Sequence, residues 1–236
     1  VAGVVTGALN VYLRIPAILA GILTMSGLYS INLLTMDSKS NLTLIGTDTI
    51  FSLIAPIFGD DLDMAKTMVN LILVALVIFL IYTFFKTRIG LSIRATGDNE
   101  YMVRASSINI SVTKILALAL SNAIIALSGG ILAQYQQFAD ISSGVGMLVV
   151  GLASVIIGEA FLGQRGILCG LCAAVLGSII YRLLIALAYQ TNIFPSAAFR
   201  LLSAVIVTIA LAIPAIKQLI DMSRKRKENL SHADLD

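Results

Sequence analysis

Charged residues are scarce in this chain, tryptophan is absent, and there is a single histidine. Lys, Arg, Asp and Glu together make up 12% of the 236 residues; a soluble domain carries about 25%. The net charge of +3 gives little support to nucleic-acid binding. No G-x-x-x-x-G-K-[ST] segment is present, so no phosphate-binding loop is available. The sequence also shows no serine–histidine or paired-carboxylate pattern, and we therefore expect no catalytic residue in it.

Cysteine is almost absent as well. Cys169 and Cys172 form a C-x-x-C pattern, which in other settings binds metal or carries out redox chemistry. Here both lie in the apolar run ILCGLCAAVLG, where a thiolate is costly and further ligands are missing, so we interpret them as structural. The acidic segment GDDLD at 59–63 lacks the spacing of an EF-hand loop. A solvated loop is favoured there over a calcium site, and no metal is expected.

Apolar residues, in contrast, are abundant: they make up 58% of the chain, and the mean hydropathy is +0.96. Several runs approach the roughly 20 apolar residues needed to cross a bilayer. The sequence therefore predicts an all-α, polytopic helical membrane protein with one transmembrane domain over residues 1–216. The expected spans are 15–36, 66–85, 113–133, 144–162, 166–187 and 197–215, followed by a basic tail at 217–236.

The chain begins inside an apolar run, VAGVVTGALNVYL, which has no charged segment before it. We interpret the first dozen residues as the end of a helix and expect the sequence to be N-terminally truncated. Pro16 predicts the break that follows, because proline disfavours helical geometry at Ile15 and cannot donate a backbone hydrogen bond. Pro195 and Pro214 are expected to break the helix in the same way near the two ends of the last span.

Basic residues are distributed unevenly along the chain. If successive spans cross the membrane in opposite directions, one side of the membrane has only four basic residues on or near it: Lys39, Lys66, Arg182 and Arg200. The other side receives Arg14, Lys86, Arg88, Arg94, Arg104, Lys114, Arg165, Lys217, Arg224, Lys225, Arg226 and Lys227. Because cytoplasmic loops are enriched in Lys and Arg, we expect this second side and the C-terminal tail in the cytoplasm, and the 36–65 linker outside. The tail SRKRKENL is expected to contact anionic lipid.

A long polar segment, GLSIRATGDNEYMVRASSIN at 90–109, interrupts the apolar pattern. A minimal connection between two spans needs only a few residues, whereas this one extends over about 86–112. We predict a short amphipathic helix over 99–106 at the membrane surface, with Asp98 or Asn99 as its cap. Glu100 and Arg104 are four residues apart, where they can pair. Such a helix is typical of a docking element, with apolar side chains from Tyr101, Met102 and Ala105.

Small residues recur every four positions in the fifth expected span, at Gly166, Gly170, Ala174 and Ser178. This spacing allows helix backbones to approach closely in lipid. Gly3 and Gly7 repeat the spacing in the opening segment. Such faces pack either within the chain or against a second subunit. We favour packing within the chain, although the two kinds of packing are compatible with each other.

A few polar residues lie in or near the expected spans. For Glu159, local pairing with Arg165 is favoured over a gating role. Arg182 and Arg200 flank the AYQTNIFPS turn, and snorkelling to the outer interface explains each of them alone. Two arginines at one level can instead contact a carboxylate-bearing substrate or acidic groups on a binding protein. Gln134 is similarly placed, so Arg182, Arg200 and Gln134 are the candidates for a substrate path or outer gate.

The polar segment resembles the cytoplasmic loop of bacterial ABC-importer permeases of the branched-chain amino acid and ribose type. That pattern is close to A-x-G-x-N-E followed by an R/A-rich turn and G-I-N. Ser107 replaces the usual glycine, so we expect a less sharply turned helix exit. The segments NVYLRIPAILAGILTMSGLYS and LASVIIGEAFLGQRGILCGLCAAVLGS are similar to two more family regions, with Glu159 and Ala160 replacing a usual glycine pair. The matching loop positions are Ala95, Gly97, Asn99, Glu100, Arg104, Ala105, Ile108 and Asn109.

The resemblance is nearest to permeases that work with tryptophan/tyrosine-type binding proteins, and it implies a type II ABC-importer transmembrane fold. Two permease subunits, expected as a homodimer although a heterodimer is equally compatible, would enclose the path of a small solute such as an amino acid. An extracellular or periplasmic binding protein would deliver the solute in the bacterial cytoplasmic membrane. Two ATPase subunits would bind ATP and Mg, so this chain would need no cofactor.

In this mechanism the 86–112 loop would be a coupling helix seated in the ATPase. ATP binding would close the ATPase dimer, and the loop would convert that closure into movement of the spans. The resemblance assigns this ATPase-coupling role to Arg94, Ala95, Gly97, Asp98, Asn99, Glu100, Tyr101, Met102, Arg104, Ala105 and Asn109.

An ion-coupled secondary transporter is the alternative. Carriers of that class typically place an ionisable residue near mid-membrane and contain inverted repeats. Apart from Glu159, no Asp or Glu lies well inside an expected span, and the sequence shows no clear repeat. Such a carrier also has no need of a docking helix at 91–109, so this segment favours the importer.

Overall fold

Helices dominate the computed structural model, which describes residues 1–58, 61–144, 147–163, 166–190 and 208. Two three-residue strands, β1 (Asn41–Thr43) and β2 (Phe138–Asp140), and two short 3-10 helices, Ala55–Phe58 and Ile141–Gly144, are the other regular elements in these ranges. The all-α class is thereby confirmed. The α-helices are α1 (Ala2–Val11), α2 (Ala17–Thr35), α3 (Ile50–Ile54), α4 (Leu62–Lys86), α5 (Arg88–Asp98), α6 (Glu100–Ala105), α7 (Ile110–Gln136), α8 (Met147–Leu162) and α9 (Ile167–Gln190).

Four helices in the described ranges are long and apolar enough to cross a membrane: Ala17–Thr35, Asp63–Lys86, Ile110–Gln136 and Ile167–Leu187. Their large apolar side chains are mostly exposed; Ile18 and Leu34 of α2, for example, are 81% and 76% exposed. Apolar surface of this extent is not tolerated in contact with water. The chain is therefore a polytopic helical membrane protein.

The fourth expected span, 144–162, corresponds to α8, which has 16 residues and an apolar stretch at Val150–Leu162. Residues 145 and 146, just before α8, lie outside the described ranges, so the crossing of the membrane by this segment stays a prediction. The sixth expected span at 197–215, apart from residue 208, lies outside the described residues, as do Pro195, Pro214 and the tail at 217–236.

The chain divides into two compact units, residues 1–143 and residues 144–236. In the first unit α1 packs against α7, and glycines set their separation. A Cβ at Gly3 would overlap the Leu118 backbone, and a Cβ at Gly7 would lie 2.9 Å from the Cα of Ile115. The expectation that Gly3 and Gly7 permit close packing within the chain is confirmed.

The order of these contacts shows that α1 and α7 are antiparallel, since Gly3 faces Leu118 and Gly7 faces the earlier residue Ile115. The segment after α1 therefore lies at the end of the first unit where α7 begins. It contains the predicted break: Arg14 has a φ of 55°, and Pro16 immediately precedes α2. We call this end, formed by residues 12–16 and 86–114, the basic end. Its basic residues are Arg14, Lys86, Arg88, Arg94, Arg104 and Lys114.

The opposite end of the first unit is closed by an antiparallel pairing of β1 with β2, in which Asn41 faces Asp140 and Thr43 faces Phe138. These strands follow α2 and α7, so they join the far ends of two long helices. Lys39 and Lys66 are the basic residues around this end, whereas it carries several acids: Asp37, Asp48, Asp61, Asp63 and Asp140. One of these acids has a structural role, because the Asp61 carboxylate accepts hydrogen bonds from the first-turn amides of α4.

In the second unit, α8 and α9 approach each other through glycines that the sequence analysis did not single out. A Cβ at Gly158 would overlap the Ala173 carbonyl, and a Cβ at Gly177 would overlap the Ser154 carbonyl. Ala153 and Tyr181 are buried beside this contact.

The glycines of the predicted packing face, which consists of Gly166, Gly170, Ala174 and Ser178, do not make the close contact with α8. Cβ atoms at Gly166 and Gly170 would meet nothing within 4 Å among the described residues, and Ser178 is exposed. The packing within this chain that we favoured for the face is therefore not seen in the described ranges.

We expect Gly158→Ala to destabilise the protein by about 1–3 kcal/mol, because the methyl group cannot fit between α8 and α9 without moving their backbones. The matched change Gly170→Ala adds a methyl group to open space in a helix interior, so it should be neutral or stabilise by up to about 1 kcal/mol. Thermal unfolding of the two purified variants in one detergent measures the difference. Equal midpoints would contradict the glycine contact.

Candidate functional site

The polar segment begins with a tight turn between α4 and α5. Thr87 caps α5: its hydroxyl oxygen accepts a hydrogen bond from the Gly90 amide at 3.2 Å and donates one to the Phe84 carbonyl at 2.6 Å. Gly90 is buried against the end of α4, where a Cβ would overlap the backbone of Phe84 and Phe85. The turn therefore requires glycine at this position and folds α5 back against α4.

Helix α5 is joined to α7 by a buried pair of hydroxyl groups. The Oγ1 atoms of Thr96 and Thr113 lie 3.1 Å apart. Each hydroxyl also lies within hydrogen-bond distance of a carbonyl in its own helix, Ser92 O for Thr96 and Ile110 O for Thr113. One hydroxyl thus donates across the helix contact while the other donates to its own helix. A buried hydrogen bond of this kind contributes about 0.5–1.5 kcal/mol.

The predicted short helix is present as α6, and Asn99 rather than Asp98 caps it. The Asn99 side-chain oxygen accepts hydrogen bonds from the amides of Tyr101 and Met102, both at 3.1 Å. Asn109 repeats the arrangement at the start of α7, where it accepts from Ser111 and Val112. Val103, 1% exposed, anchors α6 to the rest of the unit.

Glu100 does not pair with Arg104 as the four-residue spacing suggested. Its carboxylate instead forms an ion pair with Lys114 on α7, with 2.9 Å between Glu100 Oε2 and Lys114 Nζ. The two side chains are 42% and 37% exposed, and a pair in that setting contributes about 0.2–1 kcal/mol. The spacing rule failed here because α6 is short and lies beside the first turns of α7, which bring a second cation within reach.

The exit from α6 also differs from the expectation. Ser107 has a φ of 59°, in the left-handed region, so the chain turns as sharply as it would with the usual glycine. A non-glycine residue in that conformation costs about 1 kcal/mol or more because its Cβ approaches the following carbonyl. Serine in place of the family's usual glycine therefore adds backbone strain at position 107 and leaves the turn unchanged.

Most of the residues assigned to ATPase coupling are exposed, on α5, on α6 and at the start of α7. Tyr101 is 87% exposed and Met102 is 58% exposed. Ala95 and Glu100 are half-buried. The exposed members are Arg94, Gly97, Asp98, Asn99, Tyr101, Met102, Arg104, Ala105 and Asn109, and we call them the docking surface.

Sequence reasoning missed α5 and the residues that attach it. The segment was interpreted as one helix over 99–106, but the structure has two, with a break at Asn99. The available signal was Thr87, because threonine is a common N-cap residue when it stands just before apolar residues at helical spacing. Nothing in the sequence pointed to the contact between Thr96 and Thr113, since it depends on how α5 folds back against α7.

At the opposite end of the first unit, Gln134 has a structural partner. Its side-chain oxygen accepts a hydrogen bond from the Ile50 amide at 3.0 Å and so satisfies a free donor at the start of α3. Next to it, the Tyr135 ring contacts Phe51 edge to face and lies under the Lys66 ammonium group, 5.4 Å from the ring centroid. Gln134 thus attaches the short helix α3 to α7, and its role in a substrate path or outer gate remains a prediction.

The other expected polar residues belong to the second unit. Arg182 lies on α9 with its side chain exposed. Arg200 and Arg165 lie outside the described residues, so the proposed arginine pair and the pairing of Glu159 with Arg165 remain predictions. Glu159 is half-buried on α8 and has an interaction partner. Cys169, one of two free cysteines, has its sulfur 3.4 Å from the Leu162 carbonyl.

The chain is thus a polytopic helical membrane protein that carries a folded, exposed polar segment at a basic end. Residues 1–211 match the family described as branched-chain amino acid transport system / permease component. Because the match covers most of the sequence, the chain belongs to this family.

Individual relatives agree with this assignment. The chain is 37% identical to a tyrosine transport system permease protein of Clostridioides difficile (strain R20291), over 89% of this chain and 68% of that protein. It is 32% identical to an uncharacterized protein of Rickettsia prowazekii, over 67% of this chain and 55% of that protein. It is 29% identical to an autoinducer 2 import system permease protein of Escherichia coli, over 75% of this chain and 49% of that protein. The chain thus spans only about half the length of the last two. No solved structure matches.

We expect a double-mutant cycle to assign the Glu100 partner. Glu100→Lys and Lys114→Glu should each destabilise the protein slightly, and the double swap should recover about 0.2–1 kcal/mol of coupling energy. The matched cycle with Arg104→Glu should give a coupling energy near zero. Thermal unfolding of the purified variants measures both cycles, and a larger coupling for Arg104 would contradict the observed ion pair.

The left-handed conformation of Ser107 yields a separate expectation. Ser107→Gly should stabilise the α6 exit by about 0.5–1 kcal/mol, because glycine adopts positive φ without strain. Ser106 has a φ of −86°, so Ser106→Gly should instead weaken α6. Hydrogen exchange of the α6 amides should slow in the first variant and accelerate in the second. The reverse order would refute the assigned backbone geometry.

Proposed function

We propose that this chain is the transmembrane permease subunit of an ATP-binding-cassette importer, which moves a small solute across a bacterial cytoplasmic membrane. The observation that carries the proposal is the docking surface, a folded and exposed set of side chains at the basic end of a chain that belongs to a permease family. A connection between spans needs no such fold. A subunit that receives force from a partner does need one.

The partner proposed for the docking surface is an ABC ATPase subunit. Tyr101 and Met102 are large, exposed and adjacent, and side chains of this kind are enriched at the centres of protein interfaces. Asp98 and Arg104 flank them with opposite charges and would set the register of the contact. Hydrolysis of ATP, with its Mg, is assigned to that partner, and this chain would supply no catalytic residue.

An amino acid is the proposed solute, and an aromatic one is the first to test. The relative with 37% identity is named for tyrosine transport, whereas the relative with 29% identity is named for autoinducer 2 import. A separate binding protein would deliver the solute at the end formed by β1, β2 and α3. A second permease subunit, most simply another copy of this chain, would complete the path.

The proposed orientation places the basic end of the first unit in the cytoplasm. That end carries six of the eight Lys and Arg residues between residues 1 and 143, in short segments next to the spans. This is the arrangement that the positive-inside rule associates with the cytoplasmic side. The tail at 217–236, with its basic run, is proposed to lie on the same side.

Co-purification tests the proposed function. The full-length tagged protein, extracted from its native membrane in mild detergent, should carry a stoichiometric ABC ATPase that mass spectrometry identifies. Met102→Asp should reduce the recovered ATPase by roughly tenfold or more, because burying an unpaired carboxylate in the interface costs several kcal/mol. ATP-dependent uptake of tyrosine into proteoliposomes, with the binding protein added, should fall in parallel.

Tyr12→Asp is the matched control, because Tyr12 is 75% exposed at the same end but lies outside the docking surface. Its ATPase recovery should equal that of the unmodified protein. A protein that drives uptake without any bound ATPase would refute the proposal and favour the ion-coupled carrier.

A further inference from the structure

The docking surface is attached to the rest of the first unit at two points on α7, one polar contact on each of its two helices. On α5, the Thr96 hydroxyl lies 3.1 Å from the Thr113 hydroxyl. On α6, the Glu100 carboxylate lies 2.9 Å from the Lys114 ammonium group. Thr113 and Lys114 are consecutive residues in the first turns of α7. We call these four residues the clasp.

We propose that the clasp makes α5, α6 and the beginning of α7 one rigid body, so that Thr96, Thr113 and Lys114 are positioning residues for transport. This inference rests on the proposed function, since it concerns how movement of the docking surface reaches the spans. Sequence patterns assigned no coupling role to these three residues.

Geometry supports a mechanical role. Two contacts on adjacent residues of α7, one from each of two short helices, tie both α5 and α6 to the same turn of α7. The turn at Gly90 fixes α5 on its other side, against the end of α4. A force applied at Tyr101 or Met102 is therefore transmitted to α7 instead of being absorbed by bending within the segment.

The burial of the two contacts differs in a way that suits this role. Thr96 and Thr113 are 8% and 6% exposed, so their contact is shielded from water and persists when the exterior changes. Glu100 and Lys114 are partly exposed at the edge of the docking surface. Val103, on the same short helix as Glu100, is buried and supplies an apolar part of the attachment.

Helix α7 can carry the movement further. It begins at the clasp, and its next turns contact α1, where Gly7 and Gly3 hold the two backbones together. A displacement of the α7 start would therefore move α1 with it. The path from the docking surface to α1 then consists of the clasp, one continuous helix and a close glycine contact.

The first test weakens the clasp without touching the docking surface. Thr96→Val and Thr113→Val remove both hydroxyls while keeping the shape, a change that is close to neutral for folding when both partners are replaced. Lys114→Gln removes the ion pair. In the reconstituted complex of permease, ATPase and binding protein, the triple variant should keep its ATPase and its ATP hydrolysis. Solute transported per ATP hydrolysed should fall roughly fivefold or more.

Thr83→Val is the matched control: Thr83 lies on α4, and its hydroxyl bonds only to carbonyls of its own helix, Phe79 and Leu80. It should leave transport per ATP unchanged. A triple variant with normal transport per ATP would overturn the clasp. If the unmodified protein binds no ATPase at all, the proposed function itself is overturned. The failure of the clasp and the failure of the proposed function are therefore distinguishable.

A cross-link provides the opposite test. Thr96→Cys with Thr113→Cys, in a chain with Cys169→Ser and Cys172→Ser, places two thiols where hydroxyls lie 3.1 Å apart, close enough to be joined by mild oxidation. If the clasp moves as one body, the oxidised complex should transport as well as the reduced one. Transport that stops on oxidation and returns on reduction would show that α5 must separate from α7, and would overturn the proposal.

Discussion

Close contact between helix backbones is the constraint on which the rest of this structure depends. Lipid is as apolar as the helix surfaces, so burial of apolar area does not hold the spans together, and van der Waals contact must do so. Gly3 and Gly7 bring α1 against α7, and Gly158 and Gly177 bring α8 against α9. Because each position has backbone where a Cβ would stand, these contacts set the relative position of each helix pair.

Once α7 is placed by α1, it supports both ends of the first unit. Thr113 and Lys114 hold the polar helices at the basic end, while Gln134 and Tyr135 hold α3 at the other. Each end places its polar groups where water or a partner can reach them, which lipid depth does not allow. The structure therefore combines a long apolar helix, α7, with an exposed polar segment attached to its start.

Local sequence signals predicted the local structure well. The break at Pro16, a cap at Asp98 or Asn99, the short helix after it and the close approach at Gly3 and Gly7 were all expected from residue chemistry. What sequence reasoning missed concerns contacts with residues distant in the chain and one backbone conformation. Glu100 pairs with Lys114 instead of Arg104, and β1 pairs with β2, nearly a hundred residues later. Ser107 adopts the left-handed conformation typical of glycine despite its Cβ.

The sequence by itself determined the class: apolar runs of sufficient length must cross a membrane as helices, and the family pattern in the polar segment identifies a permease. Only the tertiary structure decided which faces meet. A glycine every four residues predicts that a helix can approach a neighbour, yet Gly158 and Gly177 make the contact of α9 with α8, and Gly166 and Gly170 do not. The reason is physical: a small side chain permits close approach on any face, and the rotation of the helix, set by all its contacts together, selects the face that is used.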